Sequence, residues 1–248
     1  IKTFAICLAA LIILSIINGI AHLVTSAFSF NNDVNINETY NSDINNIKID
    51  VGTTNMVIKY GDTFSITAEN VSKEFKIKEE GNTLVITIFG NKKSSHTTIT
   101  IPSDLNNLSI DIGAGKLELS DITSNNFSLN QGAGKVVITN LISNNTTIDG
   151  GAGELHITSS KLQNLDLDLG AGKCYYNGIL LGNNKIDQGV GELTLDLQND
   201  DYKFKVEKGL GSINVNGNSY SEDFEVGEGI NIIDIDGGVG SININTNK

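Results

Sequence analysis

The chain has 248 residues, including 26 glycines, one proline and no tryptophan, with 6% aromatic residues and a formal net charge of −12. That balance excludes the clustered cations with which proteins hold nucleic acid or anionic lipid headgroups. With only Cys7 and Cys174, a disulfide framework is excluded too, so packing and hydrogen bonds must hold the fold.

In chain order, the first feature is a nearly continuous apolar run from Phe4 to Val24, long enough to cross a bilayer as a helix. A small-x-small cleavage site is poorly formed at Thr25-Ser26-Ala27, so residues 1–24 are expected to stay attached as a transmembrane anchor. Lys2 precedes the span, whereas the polar linker 25–46 carries Asp33, Glu38 and Asp43 and no cation. This asymmetry predicts a single-pass protein of the cell membrane with everything after the anchor on the extracellular side.

Residues 47–107 alternate irregularly. Ile47-Lys48-Ile49-Asp50-Val51-Gly52 reads as a strand entering a bend, Glu74 to Ile88 as a hairpin around Glu80-Gly81-Asn82, and Thr98 to Pro102 as the entry to a regular array. Such a segment is expected to be an irregular cap that shields the edge of that array.

Residues 108–248 are repetitive. A Gly-x-Gly tripeptide starts at Gly113, Gly132, Gly151, Gly170 and Gly189, an advance of 19 each time, with weaker copies at Gly209 and, after an insertion, at Gly238. Aligned on the first glycine, apolar residues fill columns three before it (Ile110, Leu129, Ile148, Leu167, Ile186, Val206, Ile235) and four and six after it, as in Leu117 and Leu119. Apolar positions two apart mean strands, and a fixed period of this size means stacked coils. The fold class expected is therefore all-β: a parallel β-solenoid of about 19-residue coils over 47–248. From Ile112 to Leu117 the inward face changes phase, which requires a corner or bulge that glycine tolerates. Asn126, Asn145, Asn164 and Asn183 recur in register and should form an amide ladder along the stack.

Few residues invite chemistry. Gly113-Ala114-Gly115-Lys116 lacks the spacing and the hydroxyl of a phosphate loop, and no dinucleotide fingerprint is present. His22, His96 and His156 are scattered, and Cys174 stands in an inward column as a small core residue. Tyr176 falls inward and Tyr175 outward. The numerous Ser and Thr residues have no His-acid partner in view, so no catalytic residue, cofactor or enzymatic activity is expected. One column is acidic: Asp111, Asn130, Asp149, Asp168, Asp187, Glu207 and Asp236, two before the first glycine. Carboxylates about 5 Å apart repel by roughly 0.8 kcal/mol in water. Solvation and Lys116, Lys135 and Lys173 are expected to offset this, with Glu154 and Glu192 interrupting the lysine column. Asp111, Asp149, Asp168 and Asp187 are the only candidate cation ladder; calcium-binding β-rolls use nine-residue repeats with Asp after the glycines, so a metal is not the expected reading.

The order Ile-x-Ile-Asp-Val-Gly from Ile47, a central strand pair, Thr100-Ile101-Pro102 and then repeated Asp-x-Gly-Ala-Gly-Lys-Leu-x-Leu resembles the bacterial putative-adhesin domain family of unknown function. The resemblance covers 47–248. It implies an extracellular β-solenoid, some members being membrane-anchored and linked to envelope-stress operons, and it implies no catalytic residues. Two functions are expected from it: an adhesin-like interaction module that binds an envelope macromolecule, or an accessory protein of an envelope-stress or signalling system working through a membrane protein.

Overall fold

The computed structural model describes residues 33–40, 43–88, 95–102 and 104–247. The apolar stretch Phe4 to Val24, and with it the expected anchor, lies outside them. No helix of the described residues is long and apolar enough to cross a membrane. The strands belong to the unit Val34–Lys248, which β1 enters one residue earlier.

The chain forms β1 (Asp33–Thr39), β2 (Asn46–Tyr60), β3 (Ser65–Ser72), β4 (Lys76–Glu80), β5 (Thr83–Ile88), β6 (His96–Ile101), β7 (Leu105–Gln163), β8 (Leu165–Leu181), β9 (Asn183–Leu197), β10 (Tyr202–Glu207), β11 (Leu210–Val215), β12 (Asn218–Tyr220), β13 (Phe224–Val226), β14 (Asn231–Asp236) and β15 (Val239–Thr246). The long β7 winds through several successive coils, its bends included. Among the described residues strands predominate and no helix occurs, as the period-two pattern demanded.

Pairing between coils is parallel and keeps the 19-residue offset. Ile148 lies beside Leu167, Leu167 beside Ile186, Leu155 beside Cys174 and Cys174 beside Leu193. The stacked apolar columns are buried throughout, with Ile110, Leu129, Ile148, Leu167 and Ile186 each at 1% exposure or less. Removing each such side chain from water stabilises the fold by about 1.5–3 kcal/mol, which is why register cannot slip by one residue without inverting the faces.

Three kinds of corner turn each coil. At the first, Gly134 has φ 113°, and a Cβ on it would stand 2.1 Å from the Gly115 carbonyl oxygen of the preceding coil. Glycine is needed there for close approach as well as for backbone freedom. At the second, Asp121, Asn140 and Ser159 take left-handed conformations with φ between 53° and 58°, which short polar side chains tolerate, and the Asn140 amide donates to Asp121 at 2.8 Å. The third is the asparagine corner. Asn126 donates to Asn107 (2.9 Å), Asn145 to Asn126 (3.1 Å) and Asn164 to Asn145 (3.4 Å), all pointing the same way along the stack. A second file runs beside it, Asn144 to Asn125 and Asn125 to Asn106.

The order of layers differs from the order of sequence at both ends. Near the beginning, β2 lies between β7 on one side and β5 with β6 on the other, all parallel. Near the end, β14 and β15 lie between β9 and the pair β10 and β11, again all parallel. The Gly238 copy therefore precedes the Gly209 copy in space, although it follows it in sequence. Coils with the same inward pattern accept one another in either order, so periodicity alone could not decide. Buried asparagines fasten this splice: Asn184 donates to Ile232 O (3.1 Å), while Asn231 accepts from Gly182 N (2.9 Å) and donates to Asp201 O (3.1 Å).

Both outer layers are closed by antiparallel strands. At one end β3 pairs with β6 and β4 with β5, the latter being the hairpin read around Gly81. At the other end β12 pairs with β11 and β13 with β10. Aromatic side chains gather there, with Tyr40 against Phe64 at the first end and Tyr220 stacked on Phe224 at 3.8 Å at the second. The covers shorten and charge the open edges that a parallel stack would otherwise present.

Candidate functional site

Alternation sends every second side chain of a coil outward, so each flat side of the stack displays columns of residues at strand spacing, about 4.8 Å. Two sides carry chemistry of different kinds.

The first is the side before the Gly-x-Gly bend. There Asp50 lies beside Asp111, and Asp149, Asp168, Asp187, Asp236 and Glu207 follow one another across successive layers. The acidic column predicted from sequence is thus brought together. Partial burial, then the neighbouring Asp149 and Asp187, push the Asp168 carboxyl above its usual range, and burial followed by Asp50 does the same to Asp111. The cations expected to offset this column are elsewhere. Lys116 contacts Glu118, Lys135 bonds Glu154 at 2.9 Å and Lys173 lies 3.3 Å from Glu192. The correction has a simple cause: those lysines project beyond the bend, onto the next side of the coil. Lys185, two residues before Asp187, reaches the acidic column at 2.6 Å, and Lys48 acts on Asp111. Among the described residues no three of His, Cys, Asp or Glu converge on a point where a metal could sit.

The second side, after the bend, is charge-balanced. Glu154 and Glu192 are the partners of the lysines in the adjacent layers, and Lys135 holds the Glu154 carboxyl below its usual range. In the central column His156 lies beside Tyr175, Tyr175 beside Thr194, and Thr194 beside Asn243. The imidazole and phenol rings are 6.2 Å apart at 45°, and both residues are partly exposed. Tyr175 Oη donates to Asp196 at 2.8 Å, raising the phenol pKa, and the other Asp196 oxygen accepts from Asn245 at 2.7 Å. The ring is therefore held in one orientation. Thr139 and Thr158 add a hydroxyl pair at 3.4 Å. Sequence reading placed Tyr175 outward but missed its neighbour; the signal was available, since 156 and 175 are one period apart.

Cys174 is buried, and burial pushes its thiol up to about 12, as suits a core residue. Tyr176 is buried as well, donating to Ile179 O at 2.8 Å. Beneath the bends, a recess of about 20 Å³ is lined in part by Gln131, Gly150, Cys174 and Gln188, room for roughly one water molecule. Gln131 and Gln188 donate there to the bend carbonyls of Gly134 and Gly191, at 3.2 and 3.1 Å. A wider, open cleft of about 470 Å³ at the far end is lined by Lys208, Gly209, Ser221, Glu222 and Asp223. Neither has the large apolar concavity of a small-molecule site.

Residues 27–231 match the family described as Toastrack DUF4097. No curated protein matches the chain. Among solved structures, one described as a putative adhesin from Bacteroides fragilis is similar with a TM-score of 0.55 and 20% identity, over 86% of this chain and 98% of that one. Another putative adhesin, from Parabacteroides merdae, gives 0.43 and 14%, over 88% and 98%. A putative cell adhesion protein from Clostridium sporogenes gives 0.42 and 18%, over 87% and 100%. The B. fragilis likeness concerns the fold, and the family match spans well over half of the sequence: the chain belongs to the Toastrack family.

Proposed function

We propose that this protein is a non-enzymatic, adhesin-like interaction module, held at the cell membrane by its apolar N-terminal segment with the stack of coils on the extracellular side. The observation that carries the reading is the stack itself. Rigid parallel layers with interlocked ends present long flat columns of side chains, while the recesses described above are too small or too open for a small-molecule substrate. Such surfaces suit extended macromolecular partners, as in other stacked-repeat proteins.

Two measurements test this. A membrane-impermeant amine reagent should label the chain's lysines on intact cells; labelling only after lysis refutes the orientation. Cells displaying the chain should retain isolated envelope material that cells lacking it do not, and equal retention refutes the adhesin reading.

A further inference from the structure

We propose that the charge-balanced side of the stack, centred on Tyr175 and His156, binds a neutral, extended polysaccharide running along the stack axis. This rests on the interaction-module reading and names its ligand class.

Three features of that side converge. First, charge: Lys116, Lys135 and Lys173 are each in contact with a glutamate and the Asp196 carboxylate is held by Tyr175 and Asn245, so the side offers little field to a charged polymer, while a denser file of carboxylates forms the acidic column of the neighbouring side. A ligand selected here is uncharged. Second, shape: the side is a parallel sheet whose equivalent backbone positions lie in register at every layer, about 4.8 Å apart. A polymer laid along the axis meets one side-chain position per layer, filled in turn by His156, Tyr175, Thr194 and Asn243. Third, chemistry: the partly exposed Tyr175 ring is fixed by its bond to Asp196, and His156 lies on the next layer at 6.2 Å. Rigid, amphipathic rings supply contact area to the C–H faces of sugar rings at little conformational cost. Around them stand the hydroxyls of Thr158 and Thr194 and the amide of Asn243, which both donate to and accept from sugar hydroxyls, and the Asp196 carboxylate, which accepts.

The test uses the full chain in a detergent without a sugar headgroup, sedimented with microcrystalline cellulose, chitin or an insoluble β-1,3-glucan. Retention is expected on at least one of the three, insensitive to salt between roughly 0.05 and 0.5 M because no charges are exchanged. Tyr175→Ala should weaken it about tenfold, Tyr175→Phe much less, and Asp168→Asn, on the other side, not at all. Should Tyr175→Ala fail to melt like the parent, His156→Gln takes its place, with a loss of about threefold expected. Retention on none of the glycans, or retention indifferent to Tyr175 and His156, overturns the inference. Binding to envelopes that is abolished by protease treatment and absent from the glycans would leave the interaction-module reading standing and remove this one. Failure to bind any envelope material removes both.

Discussion

Two glycines three residues apart in one coil should respond to alanine in opposite ways. At Gly153, a Cβ would lie 2.1 Å from the Gly134 carbonyl oxygen, a backbone atom that cannot swing aside. The two layers must part by about 1 Å at the bend, which stretches the local N–H···O bonds from about 2.9 Å towards 4 Å. Losing two or three of them at about 1 kcal/mol each, with the packing they hold, costs about 3 kcal/mol. For a chain of this size that is a fall of roughly 6–12 °C in melting temperature. At Gly150 the nearest atom to the new Cβ is Leu169 Cδ2 at 3.3 Å, a side-chain terminus beside the recess of about 20 Å³. There the added methyl buries apolar surface and stiffens the unfolded chain, against a small displacement of Leu169, so Gly150→Ala should fall within about 1 kcal/mol of the parent. Thermal melting followed by circular dichroism measures both. A Gly153→Ala protein that melts with the parent, or equal losses at the two sites, would refute the close-approach argument.

Three more outcomes concern the ladders and the core. Asn145→Ala removes one bond to Asn126 and one from Asn164, so urea denaturation should show a loss of about 1 kcal/mol; an unchanged midpoint would mean the amide file contributes nothing. Because the Asp168 carboxyl is raised in the fold, its charged form is disfavoured at neutral pH, and the associated stability is present below the unfolded pKa and lost as pH rises through the raised one. Asp168→Asn should therefore stabilise the protein at pH 7 by no more than a few tenths of a kcal/mol, given its exposure to water, with the gain vanishing at acid pH. Melting curves at several pH values check this, and a gain that grows on acidification would reverse the sign. In a Cys7→Ser background, Cys174 should react with a thiol reagent at pH 8 only as fast as the protein opens, since its thiol is buried and pushed up to about 12; rapid labelling of the native state would contradict its place in the core.

The coil was legible because its physics is local and repeated. Ile110, Leu129, Ile148 and Leu167 announce a shared inward column, the bend glycines announce a corner, and the asparagines one period apart announce a file of amides. Only part of the reason for the glycines was visible, since the sequence displays a change of phase but not the carbonyl of the coil beneath. The acidic column was read correctly, whereas the lysine partners were misassigned because Lys116, Lys135 and Lys173 lie only five residues further along the chain yet past a corner. Tyr175 and His156 stayed separate in the sequence reading because neither repeats, and a search for columns of like residues passes over unlike neighbours. Least legible was the interleaving of the last coils, which depends on contacts between segments as far apart as Asn184 and Ile232.

That interleaving bears on how the protein is made. During synthesis the segment holding β10 and β11 emerges before the one holding β14 and β15, yet its place in the finished stack lies one layer further out. While the later segment is still missing, Val206, Ile213 and Val215 face the edge left by Ile186, Leu193 and Leu195 with matching columns, and a closure in sequence order competes. The stack cannot simply grow by accretion as residues leave the ribosome. Its final layers must stay open, or reopen, until the last strands arrive, and that delay is where a folding catalyst or an interfering peptide would act on this protein.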